Sequence, residues 1–311
     1  MAIIGVPAIN APGIAVDLTR SLPVRDPSLV GVANSGVRWL SEFAFPWCYP
    51  GGSPIGRPNA GAPANGATVY DMAERANGSV SYTAGTITYA GGGIDLTNSQ
   101  STGVAGAARN AGLILPASVL SDIWTPYGGK SQRYLFSTWV KLPTLANWNS
   151  TGTLLSMAGD LAYNTGSPSL FVLSQQTGGI LNLRRQIALN TYDTTNALNL
   201  IPASADYGSV VQLGVWRTDT QQGLRLRSAN GTITVTSAVG SDNTQDFSAN
   251  TFCVGRNGAS FGGASATAVL TALSGVRVYR AYMENLARSG RDPVTVLDAA
   301  YAAVVARNPF S

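Results

Sequence analysis

Leu224-Arg-Leu-Arg-Ser228 and Thr232-Ile-Thr-Val-Thr236 are two alternating runs joined through Asn230-Gly231. Asn-Gly between alternating runs is the strongest short-range signal for a β-hairpin, because both residues accept the positive φ that tight turns demand. The same grammar extends outward. Upstream lie Ser209-Val-Val-Gln-Leu-Gly-Val-Trp216, Ile180-Leu-Asn-Leu-Arg184, Ser169-Leu-Phe-Val-Leu-Ser174 and Gly152-Thr-Leu-Leu-Ser156. Further upstream, Tyr134, Phe136, Thr138, Val140 and Leu142 share one face of a longer run, with Trp139 on the other. Val80–Thr83, Thr86–Tyr89 and Gly93–Leu96 are shorter runs between glycine turns, and Thr251–Val254 and Leu273–Tyr279 follow the hairpin. Short strands about 8–12 residues apart with turn residues between them read as an all-β sandwich or jelly roll. One helix is expected over 293–307. Asp292 suits its N-cap and Pro293 its first position. Leu297, Tyr301 and Val304 make an apolar stripe that packs on one end or face of the sandwich.

Residues 1–66 read differently. They hold prolines 7, 12, 23, 27, 46, 50, 54, 58 and 63, out of 16 in the whole chain. Proline fixes φ and removes a backbone donor, so no long helix or central strand is expected here. The expected form is an extended arm, with residues 67–311 forming the sandwich. Inside the arm, Trp39, Phe43, Phe45, Trp47 and Tyr49 all fall on odd positions, interrupted only by Ser41. This period-2 strip has one sticky face. It either packs on the chain's own core or docks on a neighbouring subunit, and its five aromatics are the candidate assembly contacts.

Residues 67–306 resemble the LamG-like, concanavalin A-type jelly roll. Phe136-Ser-Thr-Trp-Val-Lys141 is similar to that family's central strand. Val215-Trp-Arg217, Leu224-Arg-Leu226 and Asn230-Gly231 are similar to its hairpin, and Val254-Gly-Arg256 and Leu273–Tyr279 to its later strands. Asn77-Gly78 opens a stretch similar to its first short strands. Where the family often carries acidic residues, the slot before Val276 holds Ser274 and Gly275, a departure that leaves the family's calcium site without support here. The implied fold is an all-β, concanavalin A-like jelly-roll sandwich.

Composition excludes much chemistry. The chain of 311 residues has no histidine, which removes every Ser-His-Asp and Cys-His system and every imidazole-ligated zinc. Cys48 and Cys253 show no C-x-x-C spacing and are read as buried thiols or, less simply, as one disulfide. Only three glutamates occur, Glu42, Glu74 and Glu284, none with an acidic neighbour two residues away. The paired-carboxylate strand of glucanases is therefore missing. Asp71 and Glu74, at i and i+3, are read as a solvated turn. Asp160, Asp193 and Asp242 lack the spacing of a calcium loop. Net charge is +4, with only two lysines, Lys130 and Lys141, too little for a nucleic-acid footprint. No signal peptide and no membrane span are expected.

The expectation is a non-enzymatic protein without a cofactor. Arm and sandwich together point to a virion component, a capsid decoration or tail and baseplate accessory protein, partnered by other virion proteins and by copies of itself. The alternative is a carbohydrate-binding module or host-attachment adhesin, located on a virion or outside a cell. Its candidate contacts are the loop residues Trp124, Tyr127, Asn147, Trp148 and Asn149, since a tryptophan beside asparagine amides can stack on a sugar ring while the amides hold hydroxyls. Trp148 is the first candidate for that stacking, unless it covers the core edge.

Overall fold

The computed structural model describes residues 36–43, 48, 62–73, 76–82, 85–99, 111–115, 117–148, 152–158, 169–248, 251–255, 273–307 and 310. Its strands, in chain order, are β1 (Val37–Glu42), β2 (Thr68–Val69), β3 (Gly78–Ser81), β4 (Thr88–Ala90), β5 (Gly93–Asp95), β6 (Gly112–Leu115), β7 (Tyr134–Lys141), β8 (Gly152–Ala158), β9 (Ser169–Gln176), β10 (Ile180–Arg184), β11 (Gln186–Ala188), β12 (Thr191–Tyr192), β13 (Leu198–Leu200), β14 (Val210–Arg217), β15 (Gln221–Ser228), β16 (Gly231–Ala238), β17 (Thr251–Val254) and β18 (Arg277–Asn285). The helices are α1 (Ala117–Trp124), α2 (Leu286–Ser289) and α3 (Pro293–Arg307).

Two antiparallel eight-stranded sheets face each other. One runs β16-β15-β14-β7-β18-β5-β4, with β1 also paired to β18; the other runs β13-β10-β9-β8-β17-β6-β3-β2. This is the all-β jelly-roll sandwich that the sequence led one to expect. Its core forms where the inward positions of both sheets meet: Phe136 stacks on Phe252 at 4.3 Å between ring centroids, and Phe171 lies 5.0 Å from Phe136. The alternation of β7 is obeyed, with Tyr134, Phe136, Val140 and Leu142 in this core. Leu135 and Trp139 face the other way, into clusters shared with α3.

The α3 helix therefore covers the outer face of the first sheet rather than an end. Leu297 and Val304 are buried, and Tyr301 stacks on Trp139 at 5.1 Å. Gly214 makes the close approach possible, since a Cβ there would sit 2.5 Å from a Leu297 methyl. The hairpin expected around Asn230 is present, but its two turn residues are Ala229 and Asn230. Gly231, at φ 139°, is already the first residue of the returning strand and pairs with Ser228.

The 1–66 boundary needs correction. Residues 37–42 are not an arm but β1, paired with β18 from Val37↔Glu284 to Glu42↔Arg280. Trp39 and Phe43 are fully buried in the chain's own core, so they are not contacts for another subunit. Phe45, Trp47 and Tyr49 lie outside the described residues. Over the described part of the strip the period of two holds: Trp39 and Phe43 point into the sandwich, while Leu40 points outward under α3. Leu273–Tyr279, read as a strand, begins as a turn, because Gly275 takes φ 81°; the strand starts at Arg277. Cys48 and Cys253 are both free and buried, and burial pushes the Cys48 thiol up to about 11.

Replacing Trp39 with alanine is expected to cost about 3–5 kcal/mol of stability, the usual range for a large buried aromatic. Denaturant unfolding measures it. A loss under about 1 kcal/mol would mean that β1 is not part of the core.

Candidate functional site

Because β7 is eight residues long, the two groups of candidate loop residues sit at its opposite ends, about 25 Å apart. Trp124 and Tyr127 precede Tyr134; Asn147 and Trp148 follow Lys141. They cannot form one site.

The second group does not present its aromatic. Trp148 is only 2% exposed and meets Tyr207 edge-on at 5.1 Å. Its ring covers the core, which corrects the expectation that it stacks on a sugar. Asn147 is half-buried on a 3-10 turn over Leu145–Asn147, and Asn149 lies outside the described residues. The other acidic candidates are also committed to the fold. Asp71 is buried rather than solvated, and accepts the backbone N–H groups of Leu40 (2.9 Å), Ala73 (2.8 Å) and Ala76 (3.2 Å). Asp193 accepts from the backbone and side chain of Asn196. Asp160 and Glu74 lie outside the described residues.

The first group is different. Tyr127-Gly-Gly-Lys130 is a two-residue hairpin turn in which Tyr127 N–H donates to the Lys130 carbonyl at 2.8 Å and Lys130 N–H donates back at 3.1 Å. Gly128 and Gly129 take φ 58° and 77°, as that turn requires. It lifts Tyr127 to the surface, where the residue is 43% exposed. One face of the ring is held by Arg288, whose guanidinium carbon lies 4.2 Å from the ring centroid. Trp124 is half-buried, its ring 6.2 Å from Phe247.

Arg288 is itself fixed. It donates to Asp122 Oδ1 at 2.9 Å through Nε and at 2.8 Å through a terminal nitrogen. Asn285 donates to Asp122 Oδ2 at 2.8 Å, and Arg38 bonds the same oxygen. Arg38 reaches it because it is the extra residue of a β-bulge: Val37 pairs with Glu284 and Trp39 with Met283, leaving Arg38 unpaired in the ladder. Burial alone would raise the Asp122 carboxyl, but hydrogen bonds from Arg288, Asn285 and Arg38 outweigh it and hold the pKa below the ordinary 3.8. A cavity of about 160 Å³ adjoins this hub, lined by Arg38, Ala76, Ser118, Val119 and Asp122. That is below the ~300 Å³ at which enclosing ligand pockets begin, so recognition here belongs to the open surface.

From Lys130, the other end of the Tyr127 turn, a row of alternating charges continues. Lys130 and Arg133 both bond Asp219, and Arg133 and the buried Arg217 both bond Asp242. Ser131 donates to Asp242 at 3.0 Å. Hydrogen bonds from Lys130 and Arg133 hold the Asp219 carboxyl below 3.8. An exposed aromatic is thus framed by closely spaced donors and acceptors, on elements from α1, α2, β1 and the β14–β15 turn. Sequence reasoning singled out Trp124 and Tyr127 but missed Arg288, Asp122 and Asp219. Gly128-Gly129 was the available signal that Tyr127 sits on a turn; nothing in the sequence pairs it with Arg288.

No family model and no curated protein matches the chain. Solved structures resemble it at low identity. The binding domain of botulinum neurotoxin DC, in complex with rat synaptotagmin II, aligns over 86% of this chain and 52% of its own, with TM-score 0.48 and 9% identity. The chain thus spans about half the length of that toxin domain. Domain 4 of AbnA, an arabinanase from Geobacillus stearothermophilus, in complex with arabinotriose, aligns over 86% of this chain and 98% of its own (TM-score 0.44, 13% identity). The CBM2 module of the Dit protein of Lactobacillus casei phage J-1 aligns over 64% of this chain and 78% of its own (TM-score 0.33, 13% identity).

The depressed Asp122 pKa has a signed consequence. A carboxyl whose folded pKa lies below its unfolded value stabilises the fold at pH above 3.8, and that contribution is lost as pH falls through the folded value. Asp122→Asn is expected to be less stable than the wild type at neutral pH, with the gap narrowing as pH drops below 3.8. Thermal melts across the acid range check this; a gap that stays constant with pH would contradict it.

Proposed function

We propose that this chain is a non-catalytic recognition module that binds glycans at the surface around Tyr127. The observation that supports this most is the Tyr127 ring, 43% exposed, clamped on one side by Arg288 and lifted by a glycine turn at the end of a lectin-like sandwich. A fixed aromatic offers an apolar platform at low entropic cost. The C–H face of a sugar ring stacks on such a platform. Lys130, Asp219 and Arg288 around it supply the donors and acceptors that hydroxyl groups need.

Glycan-array screening followed by titration of the best hit tests this. Tyr127→Ala is expected to lower affinity by about tenfold, about 1.4 kcal/mol, with unchanged melting temperature because the ring is outside the core. Absence of any glycan bound by the wild type, or equal binding by the variant, would overturn the proposal.

A role in a virus particle, anchored by the proline-rich N-terminal segment to other virion proteins, is proposed as the second reading. The sheet pairing of β1 confines any such anchor to residues before Gly36 and to those after Phe43, since β1 itself is consumed by the fold. Deleting residues 1–35 is therefore expected to leave a folded sandwich that no longer joins its assembly, whereas deleting 1–66 removes β1 and collapses the core. Incorporation of the 1–35 deletion at wild-type levels would rule out anchoring by residues 1–35 and leave only the residues after Phe43.

A further inference from the structure

The edge strand β16 lies at the far side of the first sheet, with β15, β14 and β7 between it and β18. It is eight residues long, Gly-Thr-Ile-Thr-Val-Thr-Ser-Ala, with no proline, no charge and no bulge in its ladder with β15. Among the described residues no strand pairs with its outer edge. Thr232, Thr234 and Thr236 are exposed, and Ile233 and Val235 are half-buried against the core. Folded proteins normally blunt such an edge with charge, proline or a bulge, because its unpaired N–H and C=O groups are a template for another strand. None of those devices is present here.

The sequence of the strand says which partner fits. Thr232-Ile-Thr-Val-Thr236 reads nearly the same in both directions about Thr234. An antiparallel copy centred there sets Ile233 opposite the second copy's Val235, Thr232 opposite its Thr236, and Thr234 opposite itself. β-Branched pairs and threonine pairs are favourable cross-strand partners. Charge is compatible as well. The strand has none, and the nearest cations on β15, Arg225 and Arg227, share the carboxylate of Asp298 of α3 and lie one strand in from the edge, so pairing sets no like charges directly opposite each other.

We propose that β16 pairs antiparallel with the β16 of a second copy, forming a two-fold dimer in which two eight-stranded sheets become one continuous sheet. A two-fold interface must be self-complementary, and this strand is. The inference is independent of glycan binding at Tyr127.

Sedimentation velocity over a concentration series, with variants at the axis, is the test. The wild type is expected to show a concentration-dependent dimer. Thr234→Lys sets two cations opposite each other and is expected to be monomeric; mixing it with Thr234→Glu is expected to restore a dimer. Thr234 is exposed, so both variants keep the fold. Thr234→Cys supplies a second readout: directly opposed Cα atoms lie about 4.5–5.5 Å apart, within the ~4.4–6.8 Å that a disulfide spans. Mild oxidation is expected to yield a covalent dimer, while Cys48 and Cys253 stay buried and unreacted. A wild type that is monomeric at every concentration with no Thr234→Cys cross-link would overturn the proposal. So would a dimer indifferent to Thr234→Lys, or a Lys and Glu mixture that stays monomeric.

Discussion

The backbone of β18 has to be paired along both edges, and nine residues is more than one short partner can cover. β7 takes one edge along the whole length. On the other edge β5 reaches only Arg277 and Val278. Strand β1 takes Arg280 to Glu284, and Phe43 N–H continues the ladder to the Tyr279 carbonyl at 2.7 Å. Buried N–H and C=O groups left unpaired are costly, so a stretch from the proline-rich part of the chain is drawn into the middle of a sheet. Once β1 is placed, pleating sends Trp39 and Phe43 inward and Leu40 and Glu42 outward.

That placement buries Glu42 completely, and a buried charge needs partners. Arg280 bonds it from the neighbouring strand, and Arg307, at the last turn of α3, reaches it at 3.0 Å. Arg280 faces Glu42 because β18 carries a bulge at Tyr279, which turns both residues toward the helix. A second buried carboxylate, Glu284, is held by Arg291 at 2.6 Å and by the Tyr282 hydroxyl. Burial, with Glu284 beside it, pushes the Tyr282 pKa well up, so that hydroxyl stays a donor. The outer face of the first sheet is therefore closed by α3 through apolar packing and through ion pairs that lock the helix in register. Among the described residues no strand pairs with the outer edge of β16.

The candidate site depends on the same pairing. The bulge at Arg38 exists because β1 must fit β18, and it is this bulge that aims Arg38 at Asp122. Asp122 then fixes Arg288, and Arg288 supports the Tyr127 ring. A contact at the surface is set by a register choice in the sheet. The chemistry of the site was half legible: Tyr127 on a loop could be read from Gly128-Gly129. The α1 helix was not read at all, although Val119 and Ile123 stand at i and i+4, because eight residues carry too little periodicity to stand out among short strands.

By itself the sequence determined the all-β class, the α3 helix with its cap and apolar stripe, the two faces of β7, and the absence of imidazole chemistry. Those are local properties: alternation, turn residues and composition fix them without reference to distant parts of the chain. Only the tertiary structure decided what each face meets. Period 2 puts Trp39 and Phe43 on one side of a strip, but whether that side meets the chain's own core depends on β18 having a vacant edge. A tryptophan between asparagines reads alike whether it is open or covered, and Tyr207, brought up by a separate turn, covers Trp148. Residues far apart in sequence become neighbours through strand order, and strand order is set by the pairing of the whole sheet rather than by any segment of it.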